Sequence, residues 1–375
     1  MRILIVGNFG NGNNGDETVL MAMVRELCQL NPAAEITVVS GDPAATCKIH
    51  GVRAVRRALS FSMIRAIARS DTVIIGGGGI LIDQFHSSLK YGLVILVAKL
   101  LGKPTMVYAI GLDTVTKRLA RAAIKLSFNI VDLISLRDEA SKTEMLKLGV
   151  TGTPIYVTAD PAFTLDEPCR ETFRETLAQA GIYEKRSPLI GISVWPTDNL
   201  NSYQQIPYVF ADLADRLVET YDCMVVFLVM STIEFEGDLR ASRQIVEMMT
   251  HNDRAQVVGV DYHPQALLAV FGQMDLIIGM RYHSLVLPAV AGVPLVGIER
   301  SKYPKNTYFL REVQQPSGGI AENLTVEGLM ACVTKAWRER VDLTRRVILV
   351  RKDLRTRASQ NVELFAQLMS QYGIG

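Results

Sequence analysis

A doubly wound α/β architecture, repeated in two domains, is what this sequence predicts, and three features predict it. The chain has 375 residues, more than one hydrophobic core usually organises at roughly 150 residues per domain. Short β-rich runs alternate with longer helical patterns, the signature of βαβ units and parallel sheets. Runs such as Val73-Ile74-Ile75 are apolar without alternation, which suits strands covered on both faces rather than on one. Each domain therefore reads as Rossmann-like, and the two are expected to face each other across a cleft.

In the first domain the pattern predicts strands at Ile3–Val6, Glu35–Val39, Thr72–Ile75, Thr105–Ala109, Leu133–Leu136 and Ile155–Thr158, with a first helix from about Asp16 to Leu30. The polar, helical stretch Leu165–Pro188 reads as the interdomain connection. The pattern restarts at Leu189–Val194, with a helix near Tyr208–Tyr221 and strands at Cys223–Val229, Ala255–Val258, Leu276–Ile278 and Leu295–Ile298. The domains are thus placed at 1–165 and 186–350, with a C-terminal helix at 355–375 packing back on the first. No repeat or low-complexity tract points to a solenoid.

Composition narrows the class further. Forty basic and 38 acidic side chains leave a net charge of +2, too little to argue for a nucleic-acid partner. The five cysteines (Cys28, Cys47, Cys169, Cys223, Cys332) never fall in a C-x-x-C spacing. They suit neither a disulfide framework nor a zinc site, and a reducing cytoplasm is the expected compartment. The N-terminus enters a strand without the charged and apolar regions of a signal peptide. The longest apolar stretch, Tyr91–Leu101, is interrupted by Lys99 and falls well short of the roughly 20 residues of a membrane span.

Four segments carry candidate chemistry. Gly7–Glu17 is rich in Gly and Asn and lies between the first strand and the first helix. Loop amides at Gly10, Asn14 and Gly15 are placed where backbone N–H groups at a helix start attract anions. The alternative is that Asn14 or Asp16 caps the helix. The segment lacks both the dinucleotide-binding register and the ending of a P-loop. Next, Gly76–Gly79 closes an apolar strand; Gly77 and Gly78 there allow close approach of a ligand to backbone, or else close packing of two loops. Arg137, just past a strand end, suits bidentate binding of a carboxylate or phosphate, or pairing with Asp138, Glu139 or Asp160. In the fourth, Arg281, His283 and Ser284 follow the strand that ends at Gly279. A histidine at that edge can serve as acid or base near neutral pH, or bind an anion when protonated. His50, His251 and His263 have less distinctive surroundings, and no metal cluster is expected.

Taken together, N-G-D-E at Asn14–Glu17, the four-glycine run, L-R-D at Leu136–Asp138, A-D-P-A-F at Ala159–Phe163 and R-Y-H-S at Arg281–Ser284 resemble the bacterial polysaccharide pyruvyl transferase family, in order and spacing, over nearly the whole chain. The resemblance implies a GT-B-like fold and transfer of the pyruvyl unit of phosphoenolpyruvate to a sugar as a ketal. It implies no cofactor beyond that co-substrate. It further implies that Arg137, His283 and a downstream lysine hold phosphoenolpyruvate. Position 303 is tyrosine here, flanked by Lys302 and Lys305, and Lys302 is the favoured candidate. His283 becomes the acid/base, Asp16 a base toward an acceptor hydroxyl or a helix cap, and Arg281 a further neutralising cation. The family's G-x-G-I-G-P after the middle strand is replaced by Ala109-Ile110-Gly111-Leu112-Asp113.

Two other readings share these features: a GT-B glycosyltransferase using a nucleotide sugar, and a non-catalytic protein that binds a glycan precursor. The acceptor is a sugar or a lipid-linked saccharide. The basic segments Lys117–Lys125 and Arg338–Arg357 are read either as peripheral contacts to the inner face of the cell membrane or as solvated helix faces.

Overall fold

The computed structural model describes residues 1–57, 61–81, 85–167, 169–182, 187–195, 205–233, 237–259, 262–300 and 305–374. By backbone contacts it divides into two compact units. The first comprises Met1–Asn11, Asp16–Leu165 and Asp353–Gly375, the second Gly12–Gly15 and Asp166–Lys352.

The first unit is built on strands β1 (Arg2–Phe9), β2 (Glu35–Ser40), β3 (Arg53–Arg56), β4 (Thr72–Leu81), β5 (Thr105–Leu112), β6 (Leu133–Leu136) and β7 (Ile155–Val157). They form one sheet in the order β3-β2-β1-β4-β5-β6-β7, with every neighbouring pair parallel. Parallel neighbours require crossover helices, here α1 (Asn14–Leu30), α2 (Pro43–His50), α3 (Phe61–Arg69), α4 (Phe85–Leu100), α5 (Arg118–Phe128) and α6 (Glu139–Lys147). One face of the sheet packs Met63, Ile67, Ile95, Ile124 and Met145 from the helices. The other packs Leu20 and Met23 of α1 together with Phe365 and Leu368. That double covering is why the strands read as unbroken apolar runs.

The second unit repeats the plan. After α7 (Arg174–Gln179) come β8 (Leu189–Ser193), α8 (Ile206–Tyr221), β9 (Met224–Leu228), α9 (Asp238–Met248), β10 (Ala255–Val258), α10 (Pro264–Phe271), β11 (Leu276–Gly279), α11 (His283–Ala291), β12 (Leu295–Glu299), α12 (Lys305–Glu312), β13 (Ser317–Ile320), α13 (Val326–Arg338) and α14 (Arg340–Gln371). The sheet order is β10-β9-β8-β11-β12-β13, again parallel throughout.

Three differences from the sequence reading have physical causes. β4 does not stop at Ile75 but runs to Leu81, because Gly76 and Gly78 continue its pairing with Tyr108 and Ile110 of β5. The helix predicted to start near Asp16 begins at Asn14. The segment Gly12–Gly15, placed by sequence in the first domain, belongs by contacts to the second unit. There the Asn14 N–H donates to the Met230 carbonyl at 2.9 Å, and its carboxamide donates to the carbonyls of Val229 and Gly259 at 3.1 and 3.0 Å.

The end of α14 completes the first unit through both apolar and polar contacts. Asn361 is fully buried, accepts from Thr158 Oγ1 at 2.8 Å and donates to the Ala159 and Ala358 carbonyls. Phe365 has no exposed surface. Phe365→Ala is therefore expected to destabilise this unit by about 3–5 kcal/mol, measured as a fall in the midpoint of its thermal transition. An unchanged midpoint would mean that the helix end contributes no core.

Candidate active site

In an open parallel sheet, ligands bind at the carboxyl ends of the two strands where the winding reverses. The strand orders put that point between β1 and β4 in the first unit and between β8 and β11 in the second. The segments singled out by sequence, Arg137 excepted, fall at these two places.

In the second unit, β11 ends at Gly279 and α11 starts at His283. Arg281 and His283 are both largely buried between them. Arg281 grips Asp238 at the start of α9 with two nitrogens, Nε to Oδ2 at 2.7 Å and Nη2 to Oδ1 at 2.6 Å. Asp238 Oδ2 also accepts the Ser231 N–H at 3.1 Å. The guanidinium of Arg281 lies 4.8 Å from the ring centre of Trp195, and that of Arg300 lies 4.0 Å from it, a double cation–π contact. Ser284 Oγ donates to the Arg281 carbonyl at 2.6 Å, a local bond that fixes the turn into α11. The His283 ring meets Tyr282 edge-on at 5.3 Å between ring centres. Gly15 lies against it so closely that a β-carbon there would sit 2.3 Å from His283 Nδ1. Gly15 and Asn14 thus join Arg281, His283 and Ser284 in one group.

Nearby, Asn306 donates to the Met280 and Ile298 carbonyls at 2.8 and 2.9 Å, tying the ends of β11 and β12 together. Burial pushes the Glu299 carboxyl up from the ordinary glutamate range, opposed by amide hydrogen bonds from Arg300 and Thr307. Lys302 lies outside the described residues, whereas Lys305 opens α12.

The first unit gathers Gly10, Asp16, Gly77 and Gly78. Asp16 Oδ2 accepts from Asn8 Nδ2 at 2.8 Å, and a β-carbon on Gly78 would lie 2.5 Å from Asp16 Oδ1. One on Gly77, at φ 84°, would strike Phe9 at 2.8 Å. These two glycines, expected to admit a ligand or to allow close packing of two loops, lie close to protein atoms. The amides of the Gly/Asn loop, expected to cradle an anion, are also engaged internally. Gly10 N–H donates to Glu17 Oε1 at 2.7 Å and Gly15 N–H to Asn13 Oδ1 at 3.0 Å. Asn14 or Asp16 was the expected helix cap, whereas Asn13, named in neither alternative, accepts an amide at the start of α1. Glu17 also holds buried His50 at 2.8 Å.

Arg137 stands elsewhere, after β6. Only 3% exposed, it lies 3.5 Å from carboxylate oxygens of both Asp138 and Asp160. A β-carbon at Gly111 would sit 2.3 Å from its Nε, so the altered middle-strand motif keeps the one glycine that the guanidinium requires.

Sequence reasoning missed Trp195, Asp238, Arg300, Arg57 and Lys90. Trp195 follows the end of β8, so strand-end position could have found it; Asp238 lies 43 residues from Arg281, and no local pattern marks it. Arg57 donates from Nη1 to Asn8 Oδ1 at 3.2 Å and from Nη2 to the Phe9 carbonyl, and burial lowers its pKa. Burial, reinforced by Arg57, brings the Lys90 ammonium down to about 8.

The fold and these strand-end sites define a protein of the GT-B class, and comparison with solved structures agrees. UDP-GlcNAc 2-epimerase from Neisseria meningitidis, in a structure bound to UDP-GlcNAc, superposes with a TM-score of 0.67 at 10% identity, covering 99% of this chain and 100% of that one. HepE of Anabaena, in complex with UDP, gives 0.59 at 12% identity, covering 99% of each. The model of the polysaccharide pyruvyl transferase family matches residues 13–302, and the chain belongs to that family. The amylovoran biosynthesis protein AmsJ of Erwinia amylovora is 22% identical in an alignment 359 positions long, with 80% of this chain and 83% of AmsJ covered.

Two outcomes follow from this geometry. Asp238→Ala leaves the Arg281 charge buried without its carboxylate and should cost about 3–5 kcal/mol, seen in denaturant unfolding of the second unit; a loss no larger than for an exposed aspartate would refute the pairing. For Lys90, the folded pKa near 8 lies below the ordinary 10.5. The unfolded chain therefore binds the extra proton between those values, and stability should rise with pH across that window. Lys90→Met should flatten that rise when thermal unfolding is compared at pH 7 and pH 10, and parallel profiles would exclude it.

Proposed function

We propose that this transferase moves the pyruvyl unit of phosphoenolpyruvate onto two hydroxyls of one sugar in a polysaccharide precursor, forming a pyruvate ketal. The observation that carries the reading is the placement of His283 at the winding reversal of the second sheet, against Gly15 and beside Arg281, in a chain of this family.

The chemistry asks first for an acid. His283 donates a proton to the methylene carbon, making the methyl group and leaving C2 electrophilic. One sugar hydroxyl adds to C2, the C2–O bond to phosphate breaks, and the second hydroxyl closes the ketal. Of the two hydroxyl protons, one replaces the proton given to the methyl group and the other leaves on phosphate. Cations offset the carboxylate and phosphate charges. Arg300, stacked on Trp195, and a lysine near the start of α12 suit that role in the second unit. Arg281, with two nitrogens on Asp238, orients the turn that carries His283. Asp16, at the reversal of the first sheet, suits a base toward the acceptor. The acceptor is a sugar or lipid-linked saccharide met in the cytoplasm, where phosphoenolpyruvate is made. No helix among the described residues is long and apolar enough to cross a membrane.

The fold likeness to UDP-bound proteins makes a nucleotide-sugar glycosyltransferase the reading to test against. Because selective binding raises the thermal midpoint, phosphoenolpyruvate should stabilise the native chain more than UDP or UDP-sugars. With a competent acceptor it should release inorganic phosphate and give a ketal methyl signal by NMR. His283→Ala should cut phosphate release by about 100-fold or more. Stabilisation by a UDP-sugar alone, with no phosphoenolpyruvate turnover, would transfer the assignment to a glycosyltransferase.

A further inference from the structure

The face built by α4 and α5 is apolar on the side where a crossover helix should be polar. Val94, Ile95 and Ala98 of α4 are buried in the core. On the opposite side Leu89, Leu93, Leu96 and Leu100 follow one another at helical spacing, with Leu96 45% and Leu100 76% exposed. α5 adds Leu119 and Leu126, 65% and 75% exposed. The two helices lie side by side, since a β-carbon at Gly92 of α4 would sit 3.2 Å from Ser127 Oγ of α5. Singly exposed leucines need no explanation, whereas a contiguous set of them marks an interaction surface.

Charge identifies the occupant. Residues 85–132 hold seven lysines and arginines and two acids, Asp113, only 7% exposed, and Asp132, which pairs with Lys99 at 2.7 Å. Arg118 and Lys125 are exposed on α5 next to Leu119 and Leu126. The other basic stretch, Arg338–Arg357, differs because acids interrupt it: Arg345 pairs with Asp342 at 2.9 Å and Arg357 with Asp353 at 3.5 Å. Two-fold pairing of the α4–α5 face with a second copy would bring like cations together at a self-complementary interface. The leucine stripe is also shorter than two heptads, too short for a coiled-coil seam. A surface that is apolar beneath and acidic above meets both demands.

We propose that the α4–α5 face seats this protein on an anionic lipid bilayer, with the leucines entering the boundary between headgroups and acyl chains and the flanking cations meeting acidic headgroups. The inference goes beyond the pyruvyl-transfer reading and does not depend on it.

Flotation of the full chain with vesicles tests it. The chain should float with vesicles of equal phosphatidylglycerol and phosphatidylcholine at low salt, stay behind with phosphatidylcholine alone, and detach as salt rises. The double variant Leu100→Glu/Leu126→Glu, changed only at exposed positions, should bind at least about tenfold more weakly with an unchanged thermal midpoint. Arg118→Gln/Lys125→Gln should weaken binding and reduce its salt dependence. Absence of binding to anionic vesicles at low salt, or binding that the leucine variant leaves intact, overturns the proposal. So does sedimentation that reveals a dimer dissociated by Leu126→Glu, which would give the face to a second copy. Phosphoenolpyruvate turnover on a soluble acceptor should survive in the leucine variant, so a failure of lipid binding and a failure of the activity reading are distinguishable.

Discussion

A parallel sheet can be covered on both faces only if the winding of its chain reverses, and the strand pair at that reversal is where the helices part in opposite directions. Here the reversals lie between β1 and β4 and between β8 and β11. The crossover rule that fixes handedness therefore also fixes where side chains can gather at an open sheet edge. Gly15, His283, Arg281 and Trp195 collect at one such edge, and Asp16, Gly77 and Gly78 at the other. Strand order places Arg281, His283 and Trp195, whereas Gly15 joins them on the segment Gly12–Gly15 that follows β1.

Placing charge at a buried sheet edge has a cost, and the structure offsets it in pairs. Arg281 and Asp238 share two short hydrogen bonds, Glu17 holds His50, and Arg137 lies between Asp138 and Asp160. Such pairs contribute little net stability, but breaking one leaves a desolvated charge behind. They fix geometry more than they stabilise. Lys90 is the counterexample: among the described residues no carboxylate pairs with it, and its proton affinity falls instead.

The sheets were legible because burial on both faces leaves unbroken runs of Ile, Val and Leu. Two of the four edge strands were not: Arg53–Arg56 is basic, Ser317–Ile320 is glycine-rich, and both become strands only by pairing with β2 and β12. Gly76–Gly79 read as the end of a strand because glycine weakens strands locally, yet pairing with β5 carries β4 through them. The candidate site was legible where a motif stood at a strand end, as Arg281 and His283 do, although Trp195 stands at one too and was passed over. Asp238 was hidden because its role comes from a partner distant in sequence. The surroundings of the glycines were hidden for a related reason: a sequence shows that backbone must come close to something, but not that Asp16, Phe9 and His283 lie there.

The motifs that mark the family therefore differ in kind. L-R-D and A-D-P-A-F are linked because a guanidinium buried at Arg137 requires the carboxylates of Asp138 and Asp160, and so they form one structural unit. R-Y-H-S combines two roles. Its arginine cannot lose a proton inside a protein and is tied to Asp238, so it can orient or neutralise but cannot shuttle protons. Trp195 offers only a ring face to its two arginines. Among the described residues at the ends of β8 and β11, His283 brings an imidazole, whose ring nitrogens can either donate or accept a hydrogen bond. It sits against uncharged Gly15 and Tyr282 on a turn fixed by Ser284. The arginine–aspartate pair two residues before His283 anchors that turn from its other side.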